Sequence, residues 1–290
     1  MKFYIIANPN AGKKNLNLKE IASARLPGGS EWKIVYTRAK GHATELTHEA
    51  MAGGWKNIIA AGGDGTIREV AVSLLGTDFN FGVIPCGSGN GLARNIAVPL
   101  DIAGAFGALA GYSPKPIDIG VANGRMFTCS AGVGIDAKIA HDFNTLSKRR
   151  GIFPYVWYGV KNYFSAPEQI IKAVADGKEY ELNGIVTTVM NGVQYGGGAR
   201  LAPEAVIDDG FLDLCSIKRM SVLRTVPLLG DFFSGNINRH KDIYTHVRAE
   251  AVTFICPGPQ WYHLDGEDYF ADDGVVKVTV RHKALNVLRP

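Results

Sequence analysis

The sequence predicts an α/β amino-terminal domain with a parallel sheet, followed by an antiparallel, β-sandwich-like second domain. Over roughly the first 115 residues, short apolar runs alternate with helical periods, which is typical of βαβ units. From about residue 119 the pattern changes to short strands separated by turn residues, with few helices between them. A length of 290 residues also favours two domains, at about 150 residues each.

The first domain is predicted to contain four strands, because four apolar runs are bounded by polar or turn residues. They read KFYIIA (2–7), KIVYT (33–37), NIIAA (57–61) and FGVIP (81–85). The stretch GHATELTHEAMAGG predicts a helix that stops near Gly53. Apolar residues at 67, 70, 71, 74 and 75 have the spacing of an amphipathic helix after the third strand.

The second domain is predicted to span residues 119–282, with a boundary near Pro116 and a first domain of 1–118. Its strands are indicated by RMFTCSAG, GIVTTVMN, GFLDLCSIK, HVRAEAVTFICP, QWYHLDGEDYF and GVVKVTVRH. Two helical stretches interrupt them, at roughly 154–175 and 221–234. The tail 283–290, ALNVLRP with its preceding lysine, is a candidate to return to the first domain.

Composition excludes several classes of protein. Apolar residues make up 46% and charged residues 20% of the chain, as in ordinary globular proteins, so disorder is not expected. A net charge of +4 is too small for the basic footprint of a nucleic-acid binder. The four cysteines lie far apart without a CxxC pair, which favours a reducing compartment. Without an apolar run of 18 residues, the protein is expected to be cytoplasmic, or peripheral to the inner membrane face.

Three glycine-rich loops follow predicted strands: NPNAGKK (8–14), GGDGT (62–66) and CGSGNG (86–91). At the carboxyl edge of a parallel sheet, the next helix offers free N–H groups and the positive end of its dipole, which suit phosphate. None of the loops is a Walker A sequence. GVGIDA (132–137) matches GxGxxA, but its position in the antiparallel half argues against a dinucleotide site.

Each loop also has an interpretation without a ligand. Thr66 and Glu69 have the spacing of a capping box at the start of a helix. Ser88 or Asn90 is a candidate N-cap before LARNIA. Three such loops at successive strand ends are nevertheless harder to explain by turns and caps alone.

The ordered set NPNAGK, AGGDGTIREV, IPCGSGNGLAR, APEAVIDDGFLDL and HLDGE resembles the diacylglycerol kinase catalytic family, which includes bacterial soluble lipid kinases and is related to sphingosine and ceramide kinases. The resemblance covers nearly the whole chain. GGDGT alone is shared with NAD kinases, and its combination with NPNAG and GSGN is what selects lipid kinases. The implied fold is NAD kinase/diacylglycerol kinase-like, with ATP in the cleft between an α/β domain and a β-sandwich domain.

The resemblance also implies which residues contact the nucleotide. They are Asn8, Thr37, Gly62, Gly63, Asp64, Gly65, Thr66, Glu69, Gly87, Ser88 and Asn90. Asp265 of the LDGE motif would be the general base, with Glu267 beside it. The DDG loop resembles a structural magnesium site that uses Asp209 and the backbone carbonyls of Val206 and Phe211.

Physical chemistry supports these expectations. Phosphoryl transfer depends mainly on positioning, on charge neutralisation by Mg²⁺ and on a carboxylate that orients the attacking hydroxyl. Asp64, a carboxylate at the centre of an anion-binding turn, is a candidate ligand of Mg²⁺ while neighbouring N–H groups bind phosphate. By pattern alone, however, Asp-Gly at 265–266 is an ordinary hairpin turn, and 208–210 is a polar turn before a strand.

Two positions depart from the family pattern: Arg68 replaces an asparagine, and Gly91 follows Asn90 where aspartate is common. GSGNGLA is closer to sphingosine and ceramide kinases, so a sphingoid base or ceramide stays open as the acceptor beside a diacylglycerol-like lipid. An NAD kinase and a nucleotide- or lipid-binding module without turnover are the alternative functions.

Residues 143–172 concentrate seven aromatic side chains with five basic ones against a single acid, Glu168. Such a segment suits docking of the enzyme onto an anionic membrane surface that holds its lipid substrate. A core helix with a solvated basic turn explains the same pattern. A homodimer is compatible with the sequence, whereas a nucleic-acid partner is not expected.

Overall fold

The computed structural model describes residues 1–12, 17–146, 169–220, 228 and 230–290. The chain divides into two compact units. Unit 1 comprises Met1–Ile117 with Lys283–Pro290, and unit 2 comprises Asp118–His282. The division predicted from the sequence, 1–118 with 283–290 and 119–282, differs from this only at Asp118.

Unit 1 is built from alternating strands and helices. Its elements are β1 (Lys2–Ala7), α1 (Leu18–Arg25), β2 (Glu31–Tyr36), α2 (His42–Ala52), β3 (Asn57–Gly62), α3 (Asp64–Ser73), β4 (Asn80–Pro85), α4 (Gly91–Asn95) and α5 (Ile102–Ala108). The four strands pair in parallel in the order β2-β1-β3-β4. The parallel sheet predicted from the sequence is therefore confirmed.

Burial explains why these runs form strands. Strands β1, β3 and β4 each have five consecutive buried residues, as expected for a parallel sheet covered by helices on both faces. The first strand of the sheet, β2, is partly exposed. In α3 the buried positions include Ile67, Val70 and Ala71, the apolar stripe that predicted this helix.

The labelled elements of unit 2 are the strands and the helix that follow. They are β5 (Ser113–Ala122, which begins in unit 1), β6 (Arg125–Phe127), β7 (Ser130–Val133), α6 (Ile135–Leu146), β8 (Ile171–Ala175), β9 (Lys178–Leu182), β10 (Gly184–Met190), β11 (Gln194–Gly196), β12 (Ala199–Arg200), β13 (Leu212–Lys218), β14 (Tyr244–Ala249), β15 (Ala251–Ile255), β16 (Gln260–Leu264), β17 (Glu267–Ala271) and β18 (Val275–Arg289, which ends in unit 1).

Two antiparallel arrays of strands enclose the core of unit 2. One has the order β14-β13-β10-β7-β16-β17, and the other joins β18, β15, β8 and β9. Residues from both arrays, among them Val133, Leu214, Val252, Phe254 and Val278, share one buried apolar cluster. Such packing of two inner faces is that of a β-sandwich, and the predicted antiparallel second domain is confirmed.

The sequence prediction was wrong about two parts of unit 2. Residues 171–175, the end of the helix predicted over 154–175, form strand β8, whose alternating burial fits one face of a sandwich. Helix α6 was not predicted, because its first residues were interpreted only as a glycine-rich motif. Of the second predicted helix, 221–234, residues 230–234 are helical, and 221–227 lie outside the described part of the chain.

In the part of the chain that the structure describes, no helix combines the length and apolar character needed to span a bilayer. All four cysteines are buried free thiols.

Candidate active site

The ends of the four parallel strands bring the predicted nucleotide residues to one edge of the unit 1 sheet. The pairs Ala7↔Tyr36, Ala7↔Ala61 and Gly62↔Pro85 align the last residues of neighbouring strands. Just beyond them, Asn8 N–H donates to the carbonyl of Ala61 at 2.9 Å, and Cys86 N–H donates to that of Gly62 at 2.8 Å. Half-buried Thr37 follows β2 at the same edge, where its N–H donates to the carbonyl of Ala7.

The three glycine loops contact one another at this edge. Asn8 Nδ2 donates to Thr66 Oγ1 at 3.2 Å, which joins the first loop to the second. A Cβ on Gly87 would lie 2.7 Å from the Cα of Gly63, so the second and third loops touch through backbone. A Cβ on Gly12 would lie 2.4 Å from the carbonyl oxygen of Cys86. Glycine is therefore needed here because the loop backbones are packed together.

Helix α3 begins at this contact. Its N-cap is Gly63, in extended conformation, and this glycine has no side chain that could accept from the first N–H groups of the helix. Gly65 in the first turn is exposed, whereas Thr66 is buried. Backbone N–H groups at a helix start, together with the helix dipole, favour an anion.

The capping-box interpretation of Thr66 and Glu69 is wrong. The carboxylate of Glu69 instead accepts hydrogen bonds from the N–H groups of Gly41 (2.9 Å) and Ala43 (3.2 Å), which begin helix α2. Glu69 thus links α3 to α2, and the hydroxyl of Thr66 accepts from Asn8 rather than capping its own helix.

Asp64 accepts hydrogen bonds from the third loop. Its Oδ1 accepts from Gly91 N–H at 2.9 Å and its Oδ2 from Asn90 N–H at 3.1 Å. A carboxylate at the start of α4 satisfies N–H groups that lack partners within the helix. The charge at the centre of the GGDGT turn therefore has a structural role, and its role as a ligand of Mg²⁺ stays a prediction.

The third loop is closed by Asn90, whose backbone is left-handed with φ 52°. Its side chain accepts from Gly87 N–H at 3.0 Å and donates to the carbonyl of Gly87 at 2.9 Å. Ser88 is exposed at the tip of the loop. The N–H of Gly91 donates to Asp64, and this backbone contact does not depend on which side chain stands at position 91.

In unit 2, the LDGE motif forms the hairpin between β16 and β17. Leu264 pairs with Glu267, and the two turn residues, Asp265 (φ 51°) and Gly266 (φ 84°), are both left-handed. This is the geometry of a type I′ turn, which Asp-Gly favours. The hairpin interpretation of this dipeptide is confirmed.

The carboxylate of Asp265 is saturated with donors. Its Oδ1 accepts from the N–H groups of Cys129 (2.8 Å) and Ser130 (3.0 Å). Its Oδ2 accepts from the N–H (2.7 Å) and the hydroxyl (3.0 Å) of Thr128. Four donors fill the usual acceptor positions of a carboxylate. Asp265 therefore ties its own turn to the connection between β6 and β7.

The second candidate of the motif, Glu267, is the first residue of β17 and is half-buried. Its Oε2 accepts from the hydroxyl of Tyr269 at 3.0 Å.

A buried histidine–aspartate pair lies next to the motif in the sequence. On β16, His263 Nε2 lies 2.9 Å from Asp136 Oδ2, and each of these residues is only 2% exposed. Burial lowers the pKa of His263, but attraction to Asp136 outweighs it, so that the pKa is raised overall.

The DDG loop contains the predicted metal residues. Asp209 Oδ1 accepts from Phe211 N–H at 3.0 Å, and its Oδ2 pairs with the guanidinium of Arg248. Buried Asp118 accepts from Gly210 N–H at 2.6 Å and contacts His282 Nδ1 at 2.9 Å. Val206, whose carbonyl was predicted as a ligand, is exposed.

In this structure Asp209 has a partner other than a metal. Its Oδ2 pairs with the cationic guanidinium of Arg248, which would compete with Mg²⁺ for that oxygen. No cluster of three histidine, cysteine, aspartate or glutamate side chains that could hold a metal occurs among the described residues. The metal roles of Asp209, Val206 and Phe211 stay predictions.

Sequence reasoning missed Asp118, Asp136, His263 and Asn144 as parts of these sites. Asp118 lies within a strand and 91 residues from Asp209, so that no local pattern joins the two. The histidine directly before LDG was visible in the sequence, but its partner lies on a helix that was not predicted.

A parallel α/β unit with three joined glycine loops and a β-sandwich with an LDGE hairpin are the features that the resemblance to lipid kinases implies. The family model "Diacylglycerol kinase catalytic domain" matches residues 2–122, and "YegS C-terminal NAD kinase beta sandwich-like domain" matches residues 129–289. The chain belongs to the diacylglycerol kinase-like lipid kinases and is an enzyme of that family.

Known relatives agree with this family. A Pseudomonas aeruginosa protein named "Probable lipid kinase YegS-like" is 32% identical over 87% of this chain and 83% of its own. "Diacylglycerol kinase" of Bacillus subtilis is 32% identical over 91% of this chain and 88% of its own. The crystal structure of a diacylglycerol kinase from Bacillus anthracis shares the fold, with a TM-score of 0.74 at 23% identity over 100% of this chain and 97% of that one.

Proposed function

We propose that this lipid kinase transfers the γ-phosphate of ATP to a primary hydroxyl of a diacylglycerol-like lipid. The observation that carries the proposal is the contact among three glycine loops at one sheet edge, in a chain of the diacylglycerol kinase family. The name of the B. subtilis relative supports diacylglycerol as the acceptor class.

Binding of the nucleotide phosphates is assigned to the second and third loops. The start of α3 presents backbone N–H groups behind a glycine N-cap, and the exposed Gly65 leaves room for a phosphate to approach them. Asn8 and Thr66 fix the first loop against the second, and Asn90 fixes the shape of the third. These contacts hold the loops in one conformation, so little reorganisation is needed when the nucleotide binds.

Magnesium is proposed to enter with the nucleotide. Mg²⁺ usually keeps several waters and binds through substrate phosphates and one or two carboxylates, so no protein-only cage is required. When bound it would neutralise charge on the transferred phosphoryl group. Asp64, in the GGDGT turn, is the carboxylate that we assign to it, beside its hydrogen bonds to the third loop.

We assign the general base to Glu267 rather than to Asp265. A base needs an acceptor position for the proton of the lipid hydroxyl, and four donors already occupy those of Asp265. Glu267 is the other carboxylate of the motif and follows the turn directly. In this assignment Asp265 fixes the turn and Glu267 orients and deprotonates the attacking hydroxyl.

The experiment is a kinase assay with γ-labelled ATP and an acceptor panel in mixed micelles. Diacylglycerol, sphingosine, ceramide and NAD are offered separately, with and without Mg²⁺. We expect label in diacylglycerol, dependence on Mg²⁺, and loss of labelling in Glu267→Gln. If only a sphingoid lipid or only NAD were labelled, that molecule would be the acceptor in place of diacylglycerol. ATP binding without labelling of any acceptor would support the non-catalytic alternative.

A further inference from the structure

The hairpin that carries the proposed base is held from two sides. On one side, the connection between β6 and β7 donates to Asp265, as described above. On the other side, helix α6 (Ile135–Leu146) lies against β16 and β17 and reaches the turn with polar side chains. None of these α6 residues has a role in the proposed reaction.

Asn144 contacts the turn itself. Its Nδ2 donates to the carbonyl of Gly266 at 2.9 Å and to Asp268 Oδ1 at 2.8 Å. His141, one turn earlier on α6, lies with Nδ1 2.8 Å from Asp268 Oδ2 and stacks on Trp261 with ring centroids 3.8 Å apart. One side chain thus bridges the turn and the strand that follows it, on either side of Glu267.

Asp136 supports the strand before the turn. Its carboxylate contacts His263 Nε2, which is buried like Asp136 itself, and accepts from the hydroxyl of the half-buried Tyr195. The fit is tight, because a Cβ on Gly132 would lie 2.2 Å from Asp136 Oδ2 and 2.3 Å from His263 Nε2. His263 is two residues before Asp265, so this pair fixes the origin of the turn.

Packing alone does not account for these contacts. Helix α6 already buries apolar side chains such as Ala137 and Ala140 against the sheet. Well-packed apolar residues commonly stabilise a core as well as a buried ion pair does, because burial of charge is costly. A catalytic carboxylate must be held in place, since its displacement by about 1 Å can lower the reaction rate about a hundredfold. Polar side chains that bind the strands on both sides of a turn hold the residues of that turn in place.

We propose that Asp136 and Asn144 of α6 are positioning residues that hold the Asp265–Gly266 turn and thereby place Glu267 for phosphoryl transfer. The proposal rests on the proposed function for its kinetic consequence. Its structural part, that α6 fixes the turn, stands on the contacts of Asn144 with Gly266 and of Asp136 with His263.

The test compares Asn144→Ala and Asp136→Asn with the control His246→Gln. His246 pairs with buried Asp213 at 2.5 Å on strands β14 and β13, which β10 and β7 separate from β16. The control therefore breaks an aspartate–histidine pair of the same kind away from the turn. For each full-length variant we measure kcat, KM for ATP and lipid, the unfolding free energy, and hydrogen exchange of the amides of residues 260–271.

We expect both α6 variants to lower kcat by about tenfold to a hundredfold, with KM for ATP unchanged and with faster exchange at the turn. Asp136→Glu is expected to restore part of the kcat, and the control to keep kcat and exchange at the turn within about twofold of wild type. Unchanged exchange at the turn in Asn144→Ala and Asp136→Asn would overturn the proposal. So would a loss of kcat in the control equal to theirs. If the wild-type protein phosphorylated no acceptor, the proposed function would fail while the exchange data still decided the role of α6.

Discussion

At the scale of single residues, carboxylates in both units accept hydrogen bonds from backbone N–H groups. Asp64 and Asp265 were selected from the sequence as candidates for chemistry, and in the structure both cap or clamp a loop. Asp101 and Asp176 make the same kind of bond at places without an expected ligand. A charged residue in a motif therefore indicates a catalytic or metal-binding role only if its hydrogen bonds to the backbone do not already explain its presence.

The first prediction separates the two roles of the LDGE carboxylates. Asp176 occupies an Asp-Gly turn of the same left-handed kind, with φ 44°, and accepts from Glu250 and Ala251 N–H. We expect Asp265→Asn and Asp176→Asn each to lower the unfolding free energy by about 1–3 kcal/mol, because an amide NH2 replaces one of the two oxygens that accept backbone N–H groups. Glu267→Gln should leave that free energy unchanged and lower kcat by about two to four orders of magnitude.

Denaturation and steady-state kinetics on the three variants check this prediction. The assignment of Glu267 as the base would be overturned by near wild-type kcat in Glu267→Gln. A loss of two to four orders in Asp265→Asn alone, with ATP affinity kept, would return the role to Asp265, as the family resemblance implies.

The second prediction concerns Asp64. Asp64→Ala should lower the unfolding free energy by about 1–2 kcal/mol, because α4 loses the acceptor of two N–H groups. It should also raise the Mg²⁺ concentration needed for half-maximal activity and weaken ATP binding. The control is Asp101→Ala, which removes the N-cap that accepts from Gly104 N–H at 2.6 Å in α5.

Mg²⁺ titrations of activity and calorimetric ATP binding compare the two variants. The control is expected to lose stability by a similar amount and to keep ATP binding. If the Mg²⁺ titration of Asp64→Ala matched that of Asp101→Ala, the metal role of Asp64 would be excluded.

At the scale of elements, the sequence predicted the parts of the fold with a strong local period. Strand β1 was predicted with its observed ends, and α2 and α3 were predicted from their apolar spacing. Strand β8 and helix α6 were missed, because their type depends on the sheet they pack against. The nucleotide loops were predicted because each motif directly follows a strand that has a strong apolar pattern. Asp136 and Asn144 were not predicted, because each contacts residues more than 100 positions away in the sequence.

The third prediction concerns the contact between α6 and β17. Burial raises the pKa of Asp268, but hydrogen bonds from His141 and Asn144 outweigh it, so that its pKa lies below the ordinary 3.8. A carboxyl with a depressed folded-state pKa stabilises the protein above the unfolded value, and this contribution is lost as the pH falls through the folded value. The contact should therefore weaken below about pH 3.8.

Unfolding free energies measured between pH 3 and pH 7 test this. In Asp268→Asn we expect lower stability at pH 7 and a shallower decline towards pH 3 than in wild type. Parallel pH curves for the two proteins would contradict the assigned cause. Asp272→Asn, at an exposed carboxylate of the same sheet region, serves as the control and should follow the wild-type curve.

At the scale of the whole molecule, the fourth prediction concerns membrane docking. The basic, aromatic segment 143–172 lies mostly outside the described residues, and its role stays a prediction from the sequence. Replacing Lys148, Arg149 and Arg150 by alanine should reduce co-sedimentation with anionic liposomes, because each basic residue near such a surface contributes about 1 kcal/mol.

The matched control replaces three exposed lysines of unit 2, Lys178, Lys241 and Lys277, by alanine and removes the same charge. It should bind anionic liposomes nearly as well as wild type. Equal losses in both triple variants would indicate a general charge effect rather than a docking segment, and binding that does not depend on anionic lipid would exclude electrostatic docking.

Unit 1 consists of two separate segments of the chain, and this has a consequence for biosynthesis. Met1–Ile117 is translated before unit 2, but the strand that borders β4 through Val287↔Phe81 is translated only after the contiguous unit 2. Until then β4 is an unprotected sheet edge, and Leu285 and Leu288 have not yet filled their buried places. A nascent chain stalled just short of Lys283 should therefore present an aggregation-prone first unit beside a sandwich whose residues are nearly all translated.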